Sequence, residues 1–365
     1  MSGFRPTRAV VDLDAIRHNV RTLRPDGAEL MAVVKANAYG HGDVPVARAA
    51  LDAGATWLGV ALVEEGLALR LAGIESPILV LSEVPAGSEA VALAHRLTPT
   101  VYTTDGLRRL ADAARGRVAV HVKVDSGMHR VGVWPPEDAL SFVRDATDAG
   151  LEVEGVFTHL AKSEDDKLTT KLQLERFAGA VEAIRADGQE PRFIHAANSG
   201  GVIRHPEAHL DLVRVGIAMY GIQPAPGVGK DLGLAPAMTW RSEVAAVRRL
   251  DAGERVSYGH RYELERPAWI ATAPVGYADG YPRRAWSSAE VLIGGRRRRI
   301  AGTVTMDQLI VDCGEDRPDA GDEVVLLGRQ DGVEITAWEL AEHAGTVGYE
   351  IVARIGPRVP REYRG

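Results

Sequence analysis

The chain has 365 residues, of which 45% are hydrophobic and 25% are charged, and its net charge is −7. At roughly 150 residues per domain, this length predicts about two domains. The acidic balance argues against a broad nucleic-acid or anionic-membrane surface, and a single cysteine, Cys313, excludes an internal disulfide. We find no apolar run long enough to span a membrane and no apolar core of a signal peptide, so we expect a cytoplasmic protein.

Short apolar, β-prone runs alternate with amphipathic helical patterns through the first two thirds of the chain. The predicted strands are residues 31–35, 57–62, 77–82, 98–104, 118–125, 151–160, 193–198 and 212–221. The predicted helices include residues 63–72, 106–114 and 171–186, and another at 12–23 precedes the first strand. This alternation indicates a parallel sheet, and eight such units favour an α/β fold with an N-terminal (β/α)8 TIM-like barrel over an open sheet.

The pattern changes after about residue 234, where short alternating runs replace the long helical patterns. The predicted strands here are residues 242–247, 268–273, 290–293, 308–312, 323–327 and 350–354, with one helix at 337–344. They predict a mainly antiparallel β domain. Prolines 224, 226 and 236 mark the linker. We therefore expect two domains, a barrel over residues 1–234 and a C-terminal β domain over residues 235–365.

Polar residues fall where the predicted barrel strands end. They are Lys35, Lys123, Arg130, His159, Asn198, Ser199 and Arg214, and the loop residues Gly216 and Ile217 follow the last strand. In a (β/α)8 barrel the catalytic groups lie at the carboxyl ends of the strands, in the loops that follow. The sequence therefore predicts that these residues converge on one mouth.

Lys35 is one of only six lysines, against 37 arginines. It follows four apolar residues, so it is either a lysine that extends into water or a buried amine suited to Schiff-base chemistry with a carbonyl. The next loop, with Tyr39, Gly40 and Gly42, has the small residues that let backbone N–H groups approach a phosphate.

Two further loops have the composition of phosphate-binding segments. Asn198 and Ser199 precede two glycines after the seventh strand, and Gly216 and Ile217 follow the eighth, where barrels often hold phosphate. A reactive lysine together with phosphate-binding loops suggests pyridoxal 5'-phosphate as cofactor. The histidines show no metal-ligand spacing, so we expect no metal.

Arg214 lies inside an apolar strand, where it is either part of a structural ion pair or directed at a bound cofactor. A guanidinium stays protonated, so facing the pyridine nitrogen it would donate a hydrogen bond and leave that nitrogen unprotonated. The cofactor ring would then be a weaker electron sink than one paired with a carboxylate.

Several motifs resemble those of the alanine racemase family. They are AVVKANAYGHG (32–42), KVDSGMHRVG (123–132), HLA (159–161), RVGIAMYG (214–221), VSYG (256–259), GYADGYPR (276–283), MDQ (306–308) and RVPR (358–361). The resemblance follows the whole chain in order, and the lysine motif with its Tyr-Gly-His-Gly tail is highly specific.

The resemblance implies an isomerase that interconverts L- and D-alanine and so supplies D-alanine for cell-wall peptidoglycan. It implies a head-to-tail homodimer with shared active sites. Lys35 would bind the cofactor and act as one acid–base group, and Tyr258 from the other subunit would be the second, on the opposite face of Cα. A chain from Tyr258 through His159 to Arg214 would lower the cost of forming the phenolate.

The resemblance also assigns the remaining site residues. Arg130 would orient the substrate carboxylate, and Lys123 would be carbamylated and hold Arg130. Met306 and Asp307 would reach the other subunit's site and contact the substrate carboxylate. The phosphate-binding positions would be Tyr39, Ser199, Gly216, Ile217 and Tyr349, and the entrance would be narrowed by Tyr277 and Tyr349.

Other functions remain open at this point. A serine or broad-spectrum amino-acid racemase could use the same scaffold. A decarboxylase of this architecture typically pairs the ring nitrogen with a carboxylate, which Arg214 disfavours. A cofactor-binding barrel without turnover lacks a second domain, whereas here the C-terminal domain supplies Tyr258.

Overall fold

The computed structural model describes residues 4–365. Contacts divide the chain into two compact units. The barrel unit comprises Ile16–Ala38 and Asp43–Ala235, and the C-terminal unit comprises residues 4–15, Tyr39–Gly42 and Pro236–Gly365. The N-terminal segment and Tyr39–Gly42 thus group with the C-terminal unit.

The described chain begins with strand β1 (Arg8–Asp12) and helix α1 (Leu13–Leu23). The barrel strands are β2 (Glu29–Val33), β3 (Trp57–Val60), β4 (Ile78–Glu83), β5 (Thr98–Val101), β6 (Val118–Lys123), β7 (Leu151–Phe157), β8 (Phe193–His195) and β9 (Leu212–Val215). The helices between them are α2 (Asp43–Asp52), α3 (Val63–Leu71), α4 (Glu89–Ala94), α5 (Thr104–Ala113), α6 (Ala139–Asp148), α7 (Lys167–Ala186) and α8 (Ser199–Arg204).

The barrel sheet is entirely parallel and almost closed. Strands β2 to β8 pair in sequence order, and β9 pairs with β2. Between β8 and β9, the N–H groups of Asp211 and Arg214 donate to the carbonyls of Ile194 and Ala197. Each of the eight predicted strands overlaps one of these strands, so the (β/α)8 prediction is confirmed.

The C-terminal unit is built on a sheet in the order β11-β14-β17-β16-β15-β18-β10-β1-β20, antiparallel except for the β1–β20 pair. Its strands are β10 (Met238–Glu243), β11 (Ala246–Leu250), β12 (Arg255–Val256), β13 (Tyr262–Glu263), β14 (Ala268–Ala273), β15 (Glu290–Ile293), β16 (Arg296–Ile300), β17 (Leu309–Gly314), β18 (Glu323–Gln330), β19 (Val333–Ile335) and β20 (Arg361–Arg364). Its helices are α9 (Ala337–Ala344) and α10 (Gly348–Ala353). The predicted mainly antiparallel domain is confirmed.

Two local predictions were wrong. The run at 350–354 was predicted as a strand but lies largely in α10, because a short run with three apolar residues fits either period and here buries Ile351 and Val352 in a helix. The run at 242–247 spans the break between β10 and β11. Among residues 4–365, no helix is long and apolar enough to cross a membrane.

Candidate active site

The barrel unit brings five of the predicted site residues to the carboxyl ends of its strands. They are Lys35 after β2, Lys123 at the end of β6, Arg130 in the following loop, His159 after β7 and Arg214 in β9. The charges of Arg130, Arg214 and Lys35 all act to lower the pKa of Lys123. This mouth is therefore cationic, which suits a ligand that carries phosphate and carboxylate groups.

Lys35 is half-buried two residues beyond β2. Burial lowers the pKa of its amine, the charge of Arg130 lowers it further, and Glu65 opposes both. A lowered pKa enlarges the fraction of neutral amine, which is the form that attacks a carbonyl carbon. The burial favours the reactive interpretation over a lysine that extends into water.

The segment after Lys35 forms a left-handed turn. All four residues of Ala36–Tyr39 have φ between 50° and 54°. This region disfavours L-residues by about 1–2 kcal/mol per residue, so the turn needs support. Glu65 supplies part of it, because one carboxylate oxygen accepts a hydrogen bond from the Ala36 N–H at 2.7 Å while the other accepts from two N–H groups before α3.

Arg214 is 4% exposed and lies inside the barrel. Its guanidinium donates to the carbonyls of Thr158 at 2.7 Å and Ala196 at 2.9 Å. It also donates to Nδ1 of His195 at 2.9 Å. The ring of Phe157 lies 5.2 Å from its central carbon. Burial lowers the pKa of Arg214 to about 9, so the group stays protonated at neutral pH.

His159 lies beside this guanidinium, with Nδ1 at 3.4 Å from an Arg214 nitrogen. Burial, followed by the charge of Arg214, lowers the pKa of His159 well below 6.5. The ring is therefore neutral at pH 7. Because a guanidinium only donates hydrogen bonds, Nδ1 of His159 must accept, and the proton lies on Nε2. His159 thus offers an N–H donor to a group on its other side.

Lys123 is 5% exposed and its amine lies 5.7 Å from the centre of the Phe157 ring. Burial lowers the pKa of Lys123 to about 8, and the charges of Arg130 and Arg214 act in the same direction. An appreciable fraction of this amine is neutral near pH 8. The amine is therefore nucleophilic as well as buried.

Arg130 lies in the loop that follows β6, and it is exposed. Asp125 shapes this loop, because one carboxylate oxygen accepts hydrogen bonds from the three consecutive N–H groups of residues 127–129 at 2.9–3.0 Å. Gly132 has φ of 135°, and an added Cβ would lie 2.6 Å from the Asp125 nitrogen. The loop returns tightly to the strand, which leaves Arg130 at its tip.

The two candidate phosphate loops are joined by hydrogen bonds. The side chain of Asn198 caps α8 by accepting from the Gly201 N–H at 2.9 Å. Ser199 Oγ accepts from the Gly216 N–H at 3.0 Å. Gly216 is followed by a 3-10 turn that begins at Ile217, which is 1% exposed. The amino end of a helix and this second loop therefore converge, as an anion site requires.

Three candidate residues of the C-terminal unit are exposed side chains. Tyr258 is 74% exposed, Met306 is 52% exposed and Tyr277 is 37% exposed. Hydrogen bonds fix the backbone of two of them. The Tyr277 N–H donates to the Thr305 carbonyl, and the Thr303 hydroxyl donates to the Tyr258 carbonyl. The backbone is fixed while the side chains face outward.

Asp279 organises the loop that carries Asp307. The buried Asp279 accepts two hydrogen bonds at 2.8 Å from Arg5 and one at 3.0 Å from the Gly276 N–H. Arg358 lies 3.5 Å from Asp279 and donates to Asp307 at 2.7 Å. This chain of ion pairs fixes the carboxylate of Asp307 relative to the Gly276–Asp279 turn.

Tyr39 and Tyr349 both belong to the C-terminal unit, and their ring centres are 6.4 Å apart. Burial raises the pKa of Tyr39 to about 12. Its phenol is therefore a neutral hydrogen-bond donor at neutral pH. The two tyrosines predicted to bind phosphate thus share one unit.

Sequence reasoning missed three residues that position the site: Glu65, His195 and Asp279. Glu65 carried a usable signal, since it occupies the third position of a helix, where glutamate often reaches back to N–H groups. His195 and Asp279 carried none, because their roles depend on partners distant in sequence.

The fold and the site define a barrel enzyme whose reactive groups lie at the carboxyl ends of the strands. The family model for the alanine racemase N-terminal domain matches residues 11–224, and the model for the C-terminal domain matches residues 237–363. The chain therefore belongs to the alanine racemase family, and racemases are isomerases.

Similar proteins extend this finding over the full length. An alanine racemase from Symbiobacterium thermophilum is 52% identical and covers 100% of this chain and 99% of its own. A crystal structure of alanine racemase from D-cycloserine-producing Streptomyces lavendulae has a TM-score of 0.94 at 43% identity, covering 100% of this chain and 98% of that one. The alanine racemase from Bacillus anthracis, with bound L-Ala-P, has a TM-score of 0.93 at 38% identity and covers 100% of this chain and 96% of its own.

Proposed function

We propose that this chain interconverts L-alanine and D-alanine with pyridoxal 5'-phosphate as cofactor. The observation that carries the proposal is the pairing, in one mouth, of a half-buried Lys35 of lowered pKa with the fully buried Arg214. The names of the full-length relatives supply the substrate. The role we assign is the supply of D-alanine to peptidoglycan.

The residues fit the cofactor. Lys35 offers the amine for its aldehyde. We assign its phosphate to Asn198, Ser199, Gly216 and Ile217 of the barrel unit, and also to Tyr39 and Tyr349. Arg214 provides a donor for the ring nitrogen. When bound, pyridoxal phosphate withdraws electrons from Cα of the attached amino acid and so makes the Cα proton acidic.

Arg214 limits the chemistry that follows. Its guanidinium is held by two carbonyls and by His195, so it donates hydrogen bonds but does not hand over a proton. Charge that develops on the substrate is therefore stabilised less than beside a carboxylate and its proton. This favours prompt return of the proton to Cα over transamination.

Racemisation needs one acid–base group on each face of Cα. We assign Lys35 to one face and Tyr258 of the partner subunit to the other, within a homodimer with shared active sites. The neutral His159 holds its proton on Nε2, because Arg214 occupies Nδ1. That N–H would donate to the phenol oxygen and lower the cost of the phenolate.

The substrate carboxylate would be bound by Arg130, with Met306 and Asp307 of the partner subunit. Lys123 has the properties that carbamylation requires, since its neutral amine attacks carbon dioxide and releases one proton. Its pKa of about 8 makes that amine available. The resulting anion would hold Arg130 in place. Tyr277 and Tyr349 would narrow the entrance.

The test is a racemisation assay with L-alanine, D-alanine and L-serine as separate substrates. We expect activity on both alanine enantiomers, and Lys35→Ala to abolish both the activity and the visible absorbance of bound cofactor. Lys230→Ala, which removes an exposed lysine, is the matched control and should leave both unchanged. Retained absorbance of bound cofactor in Lys35→Ala would refute the assignment of Lys35 as the residue that binds it, and a preference for serine would refute the substrate.

A further inference from the structure

A line of polar side chains crosses the barrel interior from the mouth towards the opposite end. Arg214 contacts Nδ1 of His195 at 2.9 Å, and Nε2 of His195 contacts Nδ1 of His121 at 2.9 Å. Nε2 of His121 lies 3.8 Å from a carboxylate oxygen of Glu154, which is longer than a hydrogen bond. Both histidines are completely buried.

The hydrogen-bond direction along this line is fixed at its first member. A guanidinium has only donors, so Nδ1 of His195 accepts and its proton lies on Nε2. His195 therefore donates to Nδ1 of His121, whose own proton must also lie on Nε2. That buried N–H has no hydrogen-bond partner among residues 4–365 and faces Glu154. Every donor on the line points away from Arg214.

Aromatic rings insulate the two histidines. Trp57 lies 5.3 Å from the His121 ring centre, Phe193 stacks at 6.2 Å, and Phe157 stacks on His195 at 4.7 Å. In such an apolar box a charge acts over a longer distance than in water. An unpaired buried donor is also costly there, so the contact with Glu154 matters to the tautomer of His121.

Arg214 has no salt bridge with a carboxylate within the part of the chain that the structure describes, although it is fully buried. Glu154 sits at the far end of the line, in a depression of about 520 Å³ at the amino ends of the strands. The imidazole of His121 and the guanidinium of Arg192, 4.0 Å away, face Glu154. The charged side chains of Glu29, Arg70, Glu75 and Arg96 line the same depression. Arg192 also pairs with Glu29.

We propose that Glu154 is a positioning residue for the active-site arginine, acting through His121 and His195. Its carboxylate faces the Nε2–H of His121, so it stabilises the tautomers that Arg214 imposes on both imidazoles, and it serves as the remote counter-charge of Arg214. The opposite end of the barrel is thereby coupled to the proposed chemistry, and this consequence for catalysis rests on the proposed function.

The test compares Glu154→Gln with Glu152→Gln. Glu152 lies on the same strand and pairs with the exposed Arg117, so it controls for loss of a surface carboxylate. Nitrogen-15 NMR of the imidazoles, recorded on the chain without cofactor, reports which nitrogen carries each proton. We expect Glu154→Gln to perturb the signals of His121 and His195 and Glu152→Gln to leave them unchanged. Unchanged signals of both imidazoles in Glu154→Gln would overturn the proposal.

The second readout is the pH profile of racemisation by the loaded enzyme. We expect Glu154→Gln to lower kcat about tenfold with little change in KM and to shift the profile. In a His121→Phe background the same substitution should have no further effect, because the line is already broken. Additive effects of the two substitutions would overturn the proposal. If the wild-type enzyme failed to racemise alanine, the proposed function would fail while the NMR test still stood.

Discussion

Arg214 and Lys123 of the barrel unit are buried, whereas Tyr258 and Met306 of the C-terminal unit are exposed. Arg214 and Lys123 are 4% and 5% exposed, but Tyr258 and Met306 are 74% and 52% exposed. In the barrel, burial is the leading cause of each lowered pKa, at Lys35, Lys123 and Arg214 alike. Burial within the chain therefore lowers the proton affinity of all three groups.

Around Tyr258 and Met306 the C-terminal unit fixes the backbone geometry, whereas burial raises the pKa of its Tyr39. Its loops are braced by Asp279, by Arg5 and by main-chain hydrogen bonds, so exposed side chains start from fixed positions. An exposed side chain can act in a water-excluded site only when another surface covers it. The contrast supports a site completed by a second copy of the chain. Each substitution below tests this difference between the two units.

The largest effect should come from Tyr258→Phe, which removes the proposed base of the C-terminal unit and should slow racemisation about 10²–10⁴-fold. Enantiomers have equal free energy, so net racemisation must slow equally in both directions. The asymmetry should instead appear in exchange of the Cα proton with deuterated solvent, which should persist for one enantiomer only.

Tyr262→Phe is the matched control for that experiment. It removes a phenol of the same unit whose hydroxyl donates to Asp312 at 2.6 Å. It should alter stability and leave the exchange of both enantiomers equally fast. Loss of exchange for both enantiomers in Tyr258→Phe would contradict the assignment of one base to each face.

A smaller effect is expected from the lowered pKa of Lys123. Its folded pKa of about 8 lies below its ordinary value of 10.5, so the unfolded chain binds more protons between these pH values. The free energy of unfolding should therefore rise with pH across this window, by about 3 kcal/mol. Urea unfolding of the cofactor-free chain in carbonate-free buffer should show this rise, and Lys123→Met should lack it.

Lys171→Met controls for loss of a lysine, because Lys171 is exposed and pairs with Glu175. Its unfolding should keep the wild-type pH dependence. Adding bicarbonate should flatten the dependence of the wild type alone if Lys123 is carbamylated. Equal slopes for wild type and Lys123→Met would show that burial does not tune this amine.

The smallest effect should come from Asp279→Asn. This substitution of a buried residue weakens the ion pairs that hold the Gly276–Asp279 turn and leaves every exposed candidate residue unchanged. We expect the free energy of unfolding to fall by about 1–3 kcal/mol, because Arg5 loses a charged partner. The KM for alanine should rise severalfold with little change in kcat. Asp316→Asn, which removes an exposed partner of Arg298, should leave KM unchanged; a fall in kcat for Asp279→Asn would mean a direct role.

Sequence periodicity located the barrel well because alternating strands and helices leave strong signals. The strand around Arg214 and the residue at the end of β6 could both be placed from the pattern alone. The strand β1 was missed, since its pairing with β10 and β20 joins segments that are more than 200 residues apart. Long-range partners of this kind leave no local signature.

Some residues of the candidate site could be found from the sequence, and others could not. Lys35 and Lys123 stand out in a chain with few lysines, and residue chemistry at a strand end suggested their roles. The partners that hold those residues did not stand out. His195 and Glu154 make contacts that only the folded chain creates, and each is an ordinary residue in its local sequence, whereas the helix position of Glu65 was a usable signal.

The left-handed turn after Lys35 has a consequence for the handedness of the chain itself. Ala36 and Ala38 are L-alanines held at φ of 53° and 50°, a region that D-residues adopt without steric cost. A semisynthetic chain with D-alanine at either position should therefore keep the turn and gain stability. The site proposed to convert one alanine enantiomer into the other would tolerate the mirror form in its own backbone.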